Sequence, residues 1–226
     1  MPPPIGPDEA GLAASNPLDS CNLVPISCQY GCNLKGMTRC RSFSAGVVCA
    51  LFLAAALEAG GADSPVDLSG KMRDPFASPV RVRVFIFLRT DCPITNRYAP
   101  ELARLAQDSL VDNAEFWLVY PDPDVTPQQI RTHMAEYGFR GQPLRDPHHE
   151  LVKRAHVTTA PEAAVFDTEG RLAYHGRIDD LWVEPGKARP MARIHDLQDA
   201  IDAVASGRPV EHAETRAIGC SLADVK

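Results

Sequence analysis

Between residues 82 and 88 the chain reads Val-Arg-Val-Phe-Ile-Phe-Leu, a run of β-branched and aromatic residues too apolar for a strand with one wet face. It predicts a strand buried in a sheet that is covered on both sides. Past Pro93 the period lengthens to that of a helix. Tyr98, Leu102, Leu105 and Ala106 fall near one face, and Glu101, Arg104 and Gln107 near another. Asp108 to Asn113 closes this first unit, and Ala114–Tyr120 is a second apolar run, stopped by Pro121 and Pro123. Thr126-Pro127-Gln128-Gln129 carries the residues of a helix start, with Thr at N-cap, Pro at N1 and Gln at N3. Ile130, Met134 and Tyr137 supply its apolar stripe, and Gly138 its stop.

The second half is built of shorter pieces. A strand is expected around Pro143–Asp146, then a short helix through Leu151, Val152 and Ala155, entered at His148 and His149. Pro161 precedes an apolar run that reads as a further strand. Asp167-Thr168-Glu169-Gly170 turns that run back into Arg171–His175 as an antiparallel partner. Trp182–Pro190 reads as a loop rich in proline, glycine and charge. Ile194, Leu197, Ile201 and Val204 mark a last helix that Gly207 ends. Residues 81–207 therefore read as one α/β domain, preceded by an extended lead-in over 63–80 and followed by a tail over 208–226 without a sustained period.

Composition changes the picture mainly at the N-terminus. Pro2, Pro3, Pro4, Pro7, Pro17 and Pro25 punctuate residues 1–36, which read as a disordered or mis-assigned extension. Met37 then opens a different pattern: Arg39 and Arg41, an apolar run from Ala45 to Leu57, and small residues at Gly60-Gly61-Ala62. That is the layout of a signal peptide over 37–62, and its apolar run is shorter than the roughly 20 residues of a membrane span. A periplasmic or secreted protein with no stable membrane span after cleavage is expected.

Cleavage after Ala62 would remove five of the seven cysteines and leave Cys92 and Cys220. In an oxidising compartment two cysteines suggest a disulfide or a redox couple. Cys21, Cys28 and Cys32 have no nearby histidines at zinc spacing. The formal charge of −6 has acids and bases interleaved without a basic stripe, so nucleic acid is not an expected partner. No HExxH, Ser-His-Asp or phosphate-cradling glycine motif points to a hydrolase or a nucleotide enzyme.

Cys92 stands where the first strand hands over to a helix. Unpaired backbone N–H groups and the helix dipole favour negative charge there, so this thiol is expected to ionise more readily than a free one. The turn Cys92-Pro93-Ile94-Thr95, with Pro100 five residues on, resembles the redox turn of the thioredoxin-like superfamily, with Thr95 in place of the second cysteine. The wording Thr-Asp-Cys-Pro-Ile-x-Asn-x-Tyr-Ala-Pro-Glu is most similar to bacterial redoxin-domain proteins grouped with the alkyl hydroperoxide reductase/thiol-specific antioxidant family. The likeness covers about residues 80–220.

The resemblance implies a three-layer fold with a central mixed sheet and helices on both faces. It also implies a cis-proline at Pro161, set before an edge strand and packed on the reactive cysteine, with Ala160 before it binding the substrate chain. Thr90 and Asp91 are expected on the substrate side, Thr95 and Arg177 beside the thiolate, and Cys220, in a Thr-x-x-x-Gly-Cys ending, as the resolving cysteine of this chain or a neighbouring one. No metal or organic cofactor is required. The implied partners are a thiol or disulfide protein, a small thiol or a peroxide, and the oligomeric state is left open. Peroxiredoxins carry Pro-x-x-x-Thr-x-x-Cys; here Phe85 and Arg89 hold those places, which favours thiol–disulfide exchange over efficient peroxide reduction. Two alternatives stand beside this: a copper site from Cys92, Cys220 and His175 or His195, and a module in which a Cys92–Cys220 disulfide is only a staple worth about 2–4 kcal/mol.

Overall fold

The structure is a computed structural model that describes residues 64–108 and 113–222. The expected extension over 1–36 and signal peptide over 37–62 lie outside the described residues. The first apolar run forms β1 (Val82–Phe87), buried along its whole length. It is followed by α1 (Pro93–Arg97) and α2 (Ala99–Asp108). β2 (Ala114–Tyr120), α3 (Pro127–Tyr137), β3 (Gln142–Arg145) and α4 (Glu150–Ala155) complete the first half. Then come β4 (Thr159–Ala160), β5 (Glu162–Phe166), β6 (Leu172–Gly176), a short ribbon of β7 (Trp182–Glu184) and β8 (Lys187–Ala188), α5 (Asp196–Ala205) and β9 (Cys220–Ser221).

Five strands form one sheet in the order β3-β2-β1-β5-β6. β1 runs parallel to β2, and β2 to β3, while β5 is antiparallel to both β1 and β6. The alternation along β1 sorts its side chains between two apolar layers. Val82, Val84 and Ile86 pack with Leu102 and Leu105 of α2 and Leu197 and Ile201 of α5. Phe85 and Phe87 pack with Trp117, Leu144 and Leu151, Val152 and Ala155 of α4. Helices thus cover both faces, as the expected three-layer α/β fold requires.

Three local expectations are corrected. β5 lies inside the sheet between β1 and β6 and is not an edge strand. On α3 the inward face is Ile130 and His133, whereas Tyr137 is exposed. His133 can face inward because its ring is partnered: Nε2 donates to Asn96 Oδ1 at 2.7 Å, and Nδ1 accepts from the Tyr120 hydroxyl at 3.1 Å. Burial holds its pKa below the usual histidine value, in keeping with this neutral role. Ile194 is exposed and precedes α5, which takes its apolar face from Leu197, Ala200, Ile201 and Val204.

The helix start at Thr126 forms as a full capping box, and Gly138 ends α3 in the left-handed conformation, with φ of 75°. No helix among the described residues is long and apolar enough to cross a membrane.

Candidate functional site

β1 delivers Cys92 to the N-cap of α1, with φ −89° and ψ 115°. Pro93 at N1 lacks the N–H that the first turn leaves unpaired in any case, which suits it to this place. The Cys92 side chain is wholly buried. Its thiol donates to the carbonyl oxygen of Ala160 at 3.3 Å, and Ala160–Pro161 is a cis peptide.

Cys220 arrives from the other end of the chain. β9 pairs antiparallel with β4, setting Cys220 opposite Ala160 and Ser221 opposite Thr159. This register places Cys220 Sγ 2.7 Å from Cys92 Sγ, and both residues are free cysteines. Cys220 is the half-buried, outer sulfur; Cys92 lies beneath it. Burial first, then the hydrogen bond that Cys220 donates to Cys92, pushes the Cys220 thiol up to about 11, against the pull of Arg89. In the contact between the two sulfurs Cys220 is the donor.

The Thr-x-x-x-Gly-Cys ending works as a mounting for that sulfur. Thr215 Oγ1 accepts from the Arg177 N–H at 3.1 Å and bonds the Tyr174 hydroxyl at 2.7 Å. Backbone bonds from His175 N to Ala213 O and from Thr215 N to His175 O fix the tail along β6. Gly219 passes so close to β4 that a Cβ there would meet the Ala160 carbonyl oxygen at 2.2 Å, so only glycine fits. Leu222 then enters the second apolar layer, and its N–H donates to Thr158 O. Between the Thr215 anchor and the Gly219 seat, an open pocket of about 610 Å³ separates tail from sheet.

β4 is held from behind by Glu162. Its Oε2 accepts from the N–H groups of Thr158 and Thr159 at 3.0 and 3.1 Å, and its Oε1 lies 3.6 Å from His175 Nδ1. Burial raises the Glu162 pKa, with those donors opposing it.

The residues expected at the site divide into two groups. Cys92, Cys220, Ala160 and Pro161 come together. Thr95 is fully buried one turn into α1, with its hydroxyl unpartnered. Thr90 is half-buried, and Asp91 is exposed and paired to Arg89.

Arg177 does not face the sulfurs: its guanidinium is bound by Asp196 at 2.7 and 3.1 Å, which ties β6 to α5. The guanidinium next to Cys220 belongs to Arg89, which in the sequence stood out only as a departure from the peroxidase pattern. Its place three residues before Cys92 was the available signal. The strand edge expected to receive a substrate chain at Ala160 is filled by β9 of the same chain. The copper set is not assembled either. His175 faces Glu162 and Glu214, His195 is the N-cap of α5, and among the described residues no group of three or more His, Cys, Asp or Glu side chains could hold a metal ion.

No family model matches the chain, and no curated protein matches it. Solved structures do. An uncharacterized conserved protein from Geobacillus kaustophilus aligns with a TM-score of 0.61 and 24% identity over 71% of this chain and 88% of its own. A hypothetical protein from Sinorhizobium meliloti 1021 aligns with a TM-score of 0.59 and 24% identity, covering 71% and 91%. With the mixed five-stranded sheet and the cysteine at the head of the helix after its central strand, the architecture is decided. The fold is thioredoxin-like. A secreted Mycobacterium tuberculosis disulfide oxidoreductase, at a TM-score of 0.45 and 17% identity over 64% of this chain and 94% of its own, is a likeness too distant to speak to function. Within this thioredoxin-like frame the second sulfur comes from the far end of the chain instead of from the turn.

Proposed function

We propose that this protein is an extracytoplasmic thiol–disulfide oxidoreductase in which Cys92 and Cys220 are the redox couple. The observation that carries the reading is the contact of the two sulfurs, 2.7 Å apart, one at the head of a helix and one on a docked terminal strand. Cys92, at the head of α1, takes the part of nucleophile: once it has given up to solvent the proton it donates to the Ala160 carbonyl, its sulfur still accepts the hydrogen bond from Cys220. It is buried under the tail, so β9, only two residues long, lifts to admit a partner.

The Cys92 thiolate attacks one sulfur of a partner disulfide. A Cys92 mixed disulfide forms, and the other partner sulfur leaves as a thiolate. The tail returns; Cys220 loses its proton to the departing side and attacks Cys92, closing the Cys92–Cys220 disulfide and releasing the second partner thiolate. Two electrons pass to the partner, and a dithiol protein or small thiol restores the reduced pair. Thr95, at N3 of the same helix, is buried beneath the turn in the place where the usual redox turn carries its second cysteine. Ala160, Pro161, Thr90 and Asp91 form the surface that a partner meets once β9 has moved.

Thiol–disulfide exchange is favoured over peroxide reduction, despite the resemblance of the turn to the antioxidant redoxin group. At the proline and threonine places of the peroxidase pattern stand Phe85, buried in the core, and Arg89, engaged by Asp91 and Ser221. The extracytoplasmic setting is supported by the basic, apolar and small-residue pattern of 37–62.

Reduction of a protein disulfide with wild type, Cys92→Ser and Cys220→Ser tests the proposal. Cys92→Ser should be inactive, and Cys220→Ser should accumulate a mixed disulfide at Cys92. Full turnover by Cys92→Ser would overturn it.

A further inference from the structure

Arg89 joins the two halves of the site. Its side chain, 16% exposed, leaves the end of β1 three residues before Cys92. Nε and Nη2 donate to the two carboxylate oxygens of Asp91 at 3.0 and 2.9 Å, a two-pronged grip that fixes the plane of the guanidinium. The remaining arm, Nη1, donates to the carbonyl oxygen of Ser221 at 2.7 Å. Ser221 is the residue after Cys220, and β9 has no other residue. One charged side chain therefore spans the loop that carries Cys92 and the strand that carries Cys220.

We propose that Arg89 is a positioning residue for the redox pair: held by Asp91, it latches the terminal strand through the Ser221 carbonyl and keeps a positive charge beside Cys220. The inference rests on the oxidoreductase reading for its consequence in turnover, but the latch itself is present with both cysteines free.

Two effects follow, one on the equilibrium and one on the rates of exchange. A latched tail has a high effective concentration of Cys220 at Cys92, which favours the closed disulfide over two thiols. A fixed positive charge favours Cys220 as the thiolate, the form it takes when it attacks Cys92 and the form in which it leaves when the disulfide is opened at Cys92. The charge of Arg89 already works against the burial that raises the Cys220 pKa, while Asp91 works with burial. Lysine keeps the charge but not the fork, so the two effects separate.

The experiment equilibrates the full chain, as wild type, Arg89→Gln and Arg89→Lys, in glutathione buffers. Peptide mass after alkylation reads Cys92 and Cys220 individually, apart from the other five cysteines. Arg89→Gln should lower the equilibrium constant for closing the disulfide by about tenfold, a rise in potential of about 30 mV. Arg89→Lys should fall between. In a Cys92→Ser background the pH profile of Cys220 alkylation should move to higher pH in Arg89→Gln and stay near its parent in Arg89→Lys; loss of packing alone would not distinguish glutamine from lysine in this way. An equilibrium constant within twofold of wild type, together with an unmoved profile in Arg89→Gln, overturns the proposal. If the shifts appear while wild type fails to turn over a protein disulfide, the latch stands and the oxidoreductase reading falls; if turnover occurs without the shifts, the oxidoreductase reading stands and the latch falls.

Discussion

The two sulfurs are seated very differently. Cys92 is built into the domain: β1 before it is the central strand, paired on both sides and buried at every residue, and the helix after it packs into the same core. Cys220 hangs on a two-residue strand added to β4 outside that sheet, held by Thr215, the glycine seat at Gly219, the Arg89 latch and apolar contacts from Ile218 and Leu222. Opening the first seat means unfolding the domain; opening the second means breaking a handful of contacts. One member of the pair is fixed and the other can travel, which is what a partner needs in order to reach the inner sulfur without loss of the fold.

That contrast can be broken from the tail side. Removing residues 210–226 should raise the alkylation rate of Cys92 by about a hundredfold, the factor that corresponds to about 3 kcal/mol of docking, while near-native far-UV circular dichroism remains. An unchanged rate would mean that the tail does not guard Cys92. Gly219→Val puts a side chain where the Ala160 carbonyl sits. Closure of the disulfide after oxidation should slow by about tenfold, the cost of a docking weakened by about 1.4 kcal/mol.

The seats should also differ in what they do to stability. Ile86→Ala, at the fully buried centre of β1, should cost about 2–5 kcal/mol of global stability by denaturant unfolding. Thr215→Val should cost only about 1 kcal/mol, read as faster amide exchange confined to 213–222.

The smallest effect is on pH. Folded Cys220 holds its proton to about 11 against an ordinary thiol value of 9.0. In that interval the folded state binds more protons than the unfolded one, so the contribution of Cys220 to tail docking is complete below pH 9 and is lost as pH rises towards 11. Alkylation of Cys220 in the reduced protein should accelerate over this window; a midpoint near 8 would remove the hydrogen bond to Cys92 from the account.

The elements with long or well-punctuated patterns were legible in the sequence. β1 and β2 announced themselves as uninterrupted apolar runs, and α3 by its Thr-Pro-Gln-Gln start and its glycine stop. Where expectation and structure part, a distant partner had changed the meaning of a residue. His133 could be buried because Asn96 and Tyr120 satisfy its ring, so the stripe on α3 runs through it and not through Tyr137. Arg177 looked like the cation of the site until Asp196, 19 positions later, claimed it.

The amino-acid order alone determined that a cysteine would stand at the junction of a buried strand and a helix, because local periodicity and a proline at N1 depend only on near neighbours. It also marked Cys220 as a sulfur in a tail with no periodic reason to carry one. Tertiary structure decided that the tail would lie as a strand on β4, which sulfur would be covered and which half-exposed, and which arginine would touch the pair. Those outcomes depend on backbone pairing between residues about 60 positions apart and on side-chain contacts between residues about 130 apart, and pattern along a chain carries no information about which distant groups will meet.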